Sequence, residues 1–323
     1  MSHLTLSDFE AVRSRIAPHV RCTPLVEVGA LKQPLPVINP VQLKLECMQV
    51  TGSFKPRGAV NKLLSTPSDQ IKRGIVTASG GNHGLAVAYA GWIAKTPTTI
   101  FLARNTPAIK AEKLKQWGAQ VVIEGAVWDD ANRAAMAMAA DEQRPYFHPF
   151  ADPLVIAGQG TLSLEILAES PDVDTLLVAI GGGGLISGVS AAAKALKPDI
   201  RVIGVEPVGA ATLHDSLQAA RIVELSAINT AANTLAPRRT ERINFEIIQN
   251  HVDEVVLVTD DQMETAARWL WFEMGVAAEL SGAATVAALL AGKYKPGASE
   301  QVCALVCGAG TDGIAALAHP LAQ

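Results

Sequence analysis

The sequence predicts an α/β protein of two domains, with parallel-rich sheets covered by helices, and three observations carry that reading. Apolar strands alternate with Ala-rich or amphipathic helices along most of the chain, the pattern of parallel sheets. Thr175-Leu176-Leu177-Val178-Ala179-Ile180 is apolar throughout, as expected of a strand covered on both faces. A length of 323 residues, 49% of them hydrophobic, favours two folded lobes over one.

In order, a helix over 7–16 starts at Ser7 as N-cap, with Glu10 as its capping-box partner, and Thr23-Pro24-Leu25 closes that segment. Residues 41–46 alternate as a short strand. Thr51-Gly52-Ser53-Phe54-Lys55-Pro56-Arg57-Gly58-Ala59 then turns the chain into a helix, with Ser53 as N-cap and Pro56 in the first turn. Three units follow: strand 74–78 with helix 83–93, strand 98–102 with helix 109–117, and strand 120–124 with helix 130–140. The character changes at Tyr146-Phe147-His148-Pro149-Phe150, and Gly158-Gln159-Gly160-Thr161 opens a long helix. The expected division is therefore a large domain of 1–50 and 149–323 with a small domain, 51–148, inserted in it. Beyond strand 175–180 come Gly181 to Gly184, a helix from near Leu185, strand 200–206, and a loop with a short helix over 229–250. Strand 255–258, helices 260–274 and 281–291, and buried strand 302–307 complete the chain.

Composition excludes several functions. A net charge of -4 without a basic stripe argues against nucleic acid and anionic membrane as partners. Cys22, Cys47, Cys303 and Cys307 form no CxxC pair, which predicts reduced thiols in the cytoplasm rather than zinc or disulfides. The N-terminus lacks the pattern of a signal peptide, and no apolar run reaches membrane-spanning length.

Three stretches carry chemistry. Lys55 lies in a helix's first turn, where unpaired N–H groups and the positive dipole end favour a neutral, nucleophilic amine; the alternative is a solvated lysine. Gly181 to Gly184, between a buried strand and a helix, offer converging N–H groups to a phosphate. A dinucleotide site there, with Glu206 on the ribose, fails on spacing, because Ile186 and Ser187 stand where G-x-G-x-x-G needs its last glycine. Ser79-Gly80-Gly81-Asn82-His83-Gly84 forms a second anion-competent turn, suited to a carboxylate or to a simple helix cap, with His83 read as structural.

A lysine, a phosphate turn and a carboxylate turn together describe a pyridoxal phosphate enzyme acting on an amino acid. The chain resembles the serine/threonine dehydratase group of fold-type II pyridoxal phosphate enzymes, the threonine ammonia-lyase, serine dehydratase and serine racemase group. The matching segments run from Thr23-Pro24-Leu25 through 51–59, Ser79 to His83, Ala157 to Thr161, Gly181 to Leu185 and Gly204 to Pro207, then from Glu279 to Gly308. That resemblance implies a tryptophan synthase β-like fold, pyridoxal 5′-phosphate as cofactor, a small amino-acid substrate and a homodimer. It implies that Lys55 holds the cofactor and then removes the Cα proton, and that Phe54 packs on the ring. Asn82 would meet the 3′-oxygen, Ser79, Gly80, Gly81, Asn82 and His83 would surround the substrate carboxylate, and Gly181 to Gly184 with Leu185 would hold the phosphate. Cys307 would face the pyridine nitrogen as a neutral partner, which suits β-elimination of water from a 3-hydroxy amino acid such as threonine or serine, giving a 2-oxo acid and ammonia. The alternatives are a dehydratase of 3-hydroxyaspartate or of a bulkier 3-hydroxy amino acid, an amino-acid racemase, or a binding protein without turnover.

The chain departs from the family pattern in places. Gly80 stands where racemases carry a serine base, so elimination is expected over racemisation. The family's divalent-cation site reduces here to Glu206 and the Ala210 carbonyl, with Thr212 at the aspartate position, so weak metal binding or none is expected. Thr230 to Leu235 replaces an Ala-Asp-Gly triplet, and Leu280 replaces a proline, which points to an altered pocket. Arg238 and Arg239 are candidates for a second substrate carboxylate, set against a reading as surface charges.

Overall fold

The computed structural model describes residues 4–104 and 106–315. The reading of the first residues as lacking a signal peptide falls partly outside them. In order, the elements are α1 (Leu6–Ile16), β1 (Leu25–Glu27), β2 (Val41–Lys44), α2 (Lys55–Ser65), α3 (Ser68–Ile71), β3 (Ile75–Ala78), α4 (Asn82–Ala94), β4 (Thr98–Leu102), α5 (Ala108–Gln116), β5 (Gln120–Ile123) and α6 (Trp128–Asp141). The chain continues through α7 (Pro153–Glu169), β6 (Thr175–Ala179), α8 (Gly184–Leu196), β7 (Arg201–Pro207), α9 (Thr212–Gln218), α10 (Arg242–His251), β8 (Glu254–Val258), α11 (Asp260–Met274), α12 (Leu280–Leu290), β9 (Val302–Leu305) and α13 (Asp312–Ala315).

Two sheets result. Six strands lie in the order β1-β2-β9-β6-β7-β8, parallel except for the β1–β2 pair, and β3-β4-β5 form a separate parallel sheet. Every residue of β6 and β9 is buried, because helices cover both faces of the central strands. In parallel sheets the loops that leave the carboxyl ends gather on one side, and here those after β3, β6 and β9 carry the residues singled out from the sequence.

Two caps differ from expectation. Thr5, not Ser7, caps α1: the Thr5 N–H donates to Asp8 Oδ2 at 2.8 Å, so the reciprocal box closes two residues earlier. Ser53 does not cap α2. Its backbone is extended and bridges to Gly308, and Phe54 occupies the cap position without a side-chain hydrogen bond.

Gly158-Gln159-Gly160-Thr161 does not open its helix either. Asp152 caps α7, accepting the N–H groups of Leu154 and Val155, and the glycines fall inside. They serve close helix crossings. A Cβ on Gly158 would lie 2.4 Å from the Arg57 carbonyl oxygen and 2.5 Å from Gly58 Cα, so α2 and α7 touch backbone to backbone. Likewise, a Cβ on Gly160 would lie 2.8 Å from the Gly188 carbonyl oxygen, bringing α7 onto α8.

That close crossing lets Arg57, at 0% exposure, reach two carboxylates. Its Nε and Nη2 each donate to Glu46 at 2.8 Å, and Nη1 and Nη2 donate to Glu165 at 2.6 and 2.9 Å. Buried Lys44 pairs with Glu165 at 2.8 Å and donates to the Thr23 carbonyl at 2.7 Å, which balances two cations against two anions. Paired in this way, the charges are tolerable in the interior, whereas a missing partner is not. Arg57→Met is expected to cost about 3–5 kcal/mol of stability by stranding Glu46. Urea denaturation checks this, and an unchanged midpoint would show that the pair contributes nothing.

Candidate active site

Lys55 opens α2 after a turn in which Thr51 and Gly52 both take left-handed backbone, at φ of 64° and 83°. Its Nζ donates to the Pro149 carbonyl at 2.7 Å and lies 5.1 Å from the centroid of the Phe54 ring. Burial brings the ammonium pKa down to about 8, partly opposed by the nearby Glu279 carboxylate. A substantial neutral fraction near neutral pH makes this amine a nucleophile and a base, in contrast to a solvated lysine.

Around it stand two sets of backbone donors. The N–H groups of Gly181, Gly182, Gly183, Gly184 and Leu185, at the start of α8, have no acceptor among the described residues. Gly183 takes φ 93° at the cap, and Cβ atoms on Gly182 and Gly184 would run into Phe150 at 2.4 and 2.8 Å. Side chains are thus excluded from this turn, and its donors point at a helix N-terminus suited to an anion. At the start of α4, the N–H groups of Gly80, Asn82 and His83 likewise lack acceptors among the described residues, while the Gly81 N–H donates to Ser79 Oγ at 3.3 Å.

The segment His148 to Phe150 joins these parts. Pro149 holds the Lys55 amine, Phe150 packs under the glycine turn, and His148 Nδ1 accepts the N–H groups of Phe150 and Ala151. Burial lowers His148 to about 4, so it stays a neutral acceptor. The strand end after β9 closes the other side. The Phe54 N–H donates to the Cys307 carbonyl at 3.3 Å, and the Ala309 N–H donates to the Gly52 carbonyl at 2.8 Å. Cys307 is 4% exposed, its thiol is pushed up by burial, and its Sγ donates to the Ser281 carbonyl at 3.5 Å, so it is a neutral thiol.

Asn82 Nδ2 donates to Glu279 Oε1 at 2.8 Å, and Thr234 Oγ1 donates to the same oxygen at 3.1 Å. Thr234 sits between the two anion turns: its methyl would lie 3.6 Å from a Cβ on Gly81, and its carbonyl oxygen 2.8 Å from a Cβ on Gly181. His83 faces away from the turn. Nε2 donates to the Phe147 carbonyl at 2.9 Å, and burial lowers its pKa to about 3, which fixes it as a neutral structural histidine. A Cβ on Gly80 would lie 2.8 Å from Thr106 Cγ2, so Thr106 fills the room that a side chain at position 80 needs.

Glu206 and Ala210, the positions left of the family's cation site, lie at the end of β7 and in the short turn that follows it. Glu206 is fully buried and both its carboxylate oxygens are occupied, by the N–H groups of Leu213 at 2.9 Å and His214 at 2.8 Å. Burial raises its pKa to about 8 against the pull of those donors. It is not a surface acid: it ties the end of β7 to the start of α9. Thr212 donates to the Pro237 carbonyl, and among the described residues no group of three His, Cys, Asp or Glu could hold a metal ion. Arg238 and Arg239 pair with Glu224 and Glu241 and remain half exposed, as surface charges do.

Pro149, Phe150 and Thr106 escaped the sequence reading, because contacts between residues remote in the chain leave no local pattern, whereas Thr234 falls in the 230–235 stretch that read as an altered pocket. Glu279 had a signal, as the acidic residue immediately before the α12 helix, but nothing local showed that its side chain leaves that helix for Asn82.

The similarities to known proteins fit this geometry. L-threonine ammonia-lyase of Geobacter sulfurreducens is 38% identical over 291 residues, covering 90% of this chain and 72% of that protein. Serine racemase of Oryza sativa subsp. indica is 35% identical over 323 residues, covering 96% of this chain and 93% of that protein. Among solved structures, maize serine racemase superposes with a TM-score of 0.88 at 33% identity, covering 95% of this chain and 94% of that one. Threonine deaminase isoform 2 of Solanum lycopersicum gives 0.86 at 33% identity, covering 94% and 88%. A family described as pyridoxal-phosphate dependent enzyme matches residues 16–308, and the chain belongs to that family.

Proposed function

We propose that the protein eliminates water from a β-hydroxy amino acid of the serine or threonine type, releasing a 2-oxo acid and ammonia. The observation that carries this reading is a buried lysine amine with pKa near 8 beside two turns of unpaired N–H donors. The residues fit the family's cofactor. Gly181 to Gly184 and Leu185 present donors to a phosphate where Phe150 and Thr234 leave no space for side chains, and Lys55 presents an amine to an aldehyde. Phe54 gives a ring face, Asn82 a polar contact at the ring edge, and Cys307 a neutral partner for the ring nitrogen. Pyridoxal phosphate supplies an electron sink for carbanion chemistry at the substrate Cα.

The chain's own groups do the rest. N–H groups of Gly80, Asn82 and His83, with the Ser79 hydroxyl and the backbone of Gly81, hold the substrate carboxylate and so fix the Cα–H bond. Lys55, displaced by the substrate amine, takes the Cα proton. The β-hydroxyl then leaves as water, the proton taken from Cα by Lys55 balancing the one the hydroxyl gains, and the unsaturated amine left behind hydrolyses to the 2-oxo acid and ammonia. A neutral thiol at Cys307 would offer the ring nitrogen no charged partner, which suits a reaction in which the departing hydroxyl carries the electrons away. No side chain stands at position 80, so Lys55 acts as the only base, on one face.

We also take residues 51–148 as the small domain, supported by the β3-β4-β5 sheet lying wholly within it. A cytoplasmic homodimer is the corresponding assembly, supported by the unpaired state of Cys22, Cys47, Cys303 and Cys307 and by family resemblance.

Release of 2-oxo acid from serine, threonine, 3-hydroxyaspartate and phenylserine tests the activity and ranks the substrates. Serine or threonine is expected to lead, chelator to leave the rate unchanged, and Lys55→Ala to lower it by about three orders of magnitude. Strict dependence on a divalent cation, or full activity in Lys55→Ala, would contradict the reading. A second experiment bears on stereochemistry. Gly80→Ser alone is expected to form little D-serine from L-serine, and Gly80→Ser with Thr106→Ala to form about a hundredfold more. D-serine formation faster than pyruvate formation by the unaltered enzyme would favour the racemase reading instead.

A further inference from the structure

We infer that Glu279 is a positioning residue of this site, held by Thr234, and that its carboxylate turns the Asn82 amide so that an N–H, not the carbonyl, faces the cofactor ring. The inference rests on the proposed placement of Asn82 at the ring edge. Asn82 is the first residue of α4, and Glu279 immediately precedes α12, positions from which short polar side chains ordinarily bond their own helix. Neither does so. The Leu280 N–H goes to Asp312 Oδ2 at 2.8 Å, and Glu279 meets Asn82 across the fold at 2.8 Å.

A carboxylate only accepts, so the Asn82 atom that meets it must be the nitrogen. One amide N–H is thereby committed, and the second is left on the same nitrogen, its direction set by the plane of the amide. Thr234 fixes the carboxylate in turn. Its hydroxyl donates to the same Oε1 at 3.1 Å and is itself bonded to Ser281 Oγ. The surroundings leave no slack: a Cβ on Gly308 would lie 2.4 Å from Glu279 Oε1 and 3.2 Å from Asn82 Nδ2, so the strand end after Cys307 presses directly on this pair. Burial raises the Glu279 pKa, and the Thr234 and Asn82 donors oppose that rise.

The test reads the visible spectrum of the holoenzyme, which follows the state of the ring's 3′-oxygen and does not require turnover. An N–H donor at that oxygen favours its ionised form and the longer-wavelength band. Glu279→Gln can donate as well as accept, so it releases the orientation of Asn82. The ratio of long- to short-wavelength absorbance is expected to fall about fivefold, the equivalent of one hydrogen bond. Thr234→Val should move the ratio in the same direction by less, and Thr234→Ser, which keeps the hydroxyl, should restore it. Spectra unchanged in both Glu279→Gln and Thr234→Val, with Asn82→Ala altered, would overturn the role of Glu279 alone. An unchanged spectrum in Asn82→Ala would remove the underlying placement of Asn82 as well.

Discussion

Arg57, with no exposure to solvent, bonds Glu46 and Glu165 at once, and the placement of Lys55 follows from that arrangement. Arg57 lies two residues beyond Lys55 in the first turn of α2. Glu46 follows β2, and Glu165 belongs to α7, so one guanidinium ties the lysine's helix to the large sheet and to a neighbouring helix. A planar cation with five donors can satisfy two carboxylates in fixed geometry, which a lysine at this position would not. The geometry also requires α2 and α7 to meet without side chains between them, and Gly58 and Gly158 provide that approach.

With Lys55 fixed, the remaining groups arrive by topology. Parallel strands deliver their carboxyl ends to one side, so the turns after β3, β6 and β9 come from two sheets to a single amine. Each turn is kept clear by contact with a large or carbonyl-bearing neighbour: Phe150 and Thr234 at the glycine turn, Glu279 at Gly308, Thr106 at Gly80. The same device that opens the site to a cofactor closes position 80 to a second base. In the proposed reaction, chemistry on one face would thus follow from packing as well as from a missing side chain.

Much of this was legible in the residues themselves. The alternation of apolar strands and Ala-rich helices located the strands of both sheets except β1, where Thr23-Pro24-Leu25 read only as the end of a helical segment. Lys55 and Gly181 to Gly184 stood out at strand-to-helix turns, whereas the roles of Asn82 and Cys307 came from the family resemblance. What was not legible depends on partners distant in the chain. Gly158 to Thr161 read as a helix start, since glycine is a local breaker. Only the crossing with α2 shows why glycine lies inside the helix. The reading of Glu206 as a surface acid fails, because the residue is fully buried with the N–H groups of Leu213 and His214 on its oxygens, which a sequence cannot show. Ser7 read as the cap of α1, and Thr5 takes that place because Asp8 reaches back to its N–H.

The account depends most on Lys55 as the residue that carries the cofactor, since every other assignment is placed relative to its amine. Borohydride reduction of the holoenzyme makes the bond between lysine and cofactor permanent, and peptide mass mapping then identifies the modified residue. The account predicts a single modified peptide bearing the label at Lys55. Label on Lys44, Lys62 or Lys110 instead, or an unlabelled chain that still turns over substrate, would contradict it.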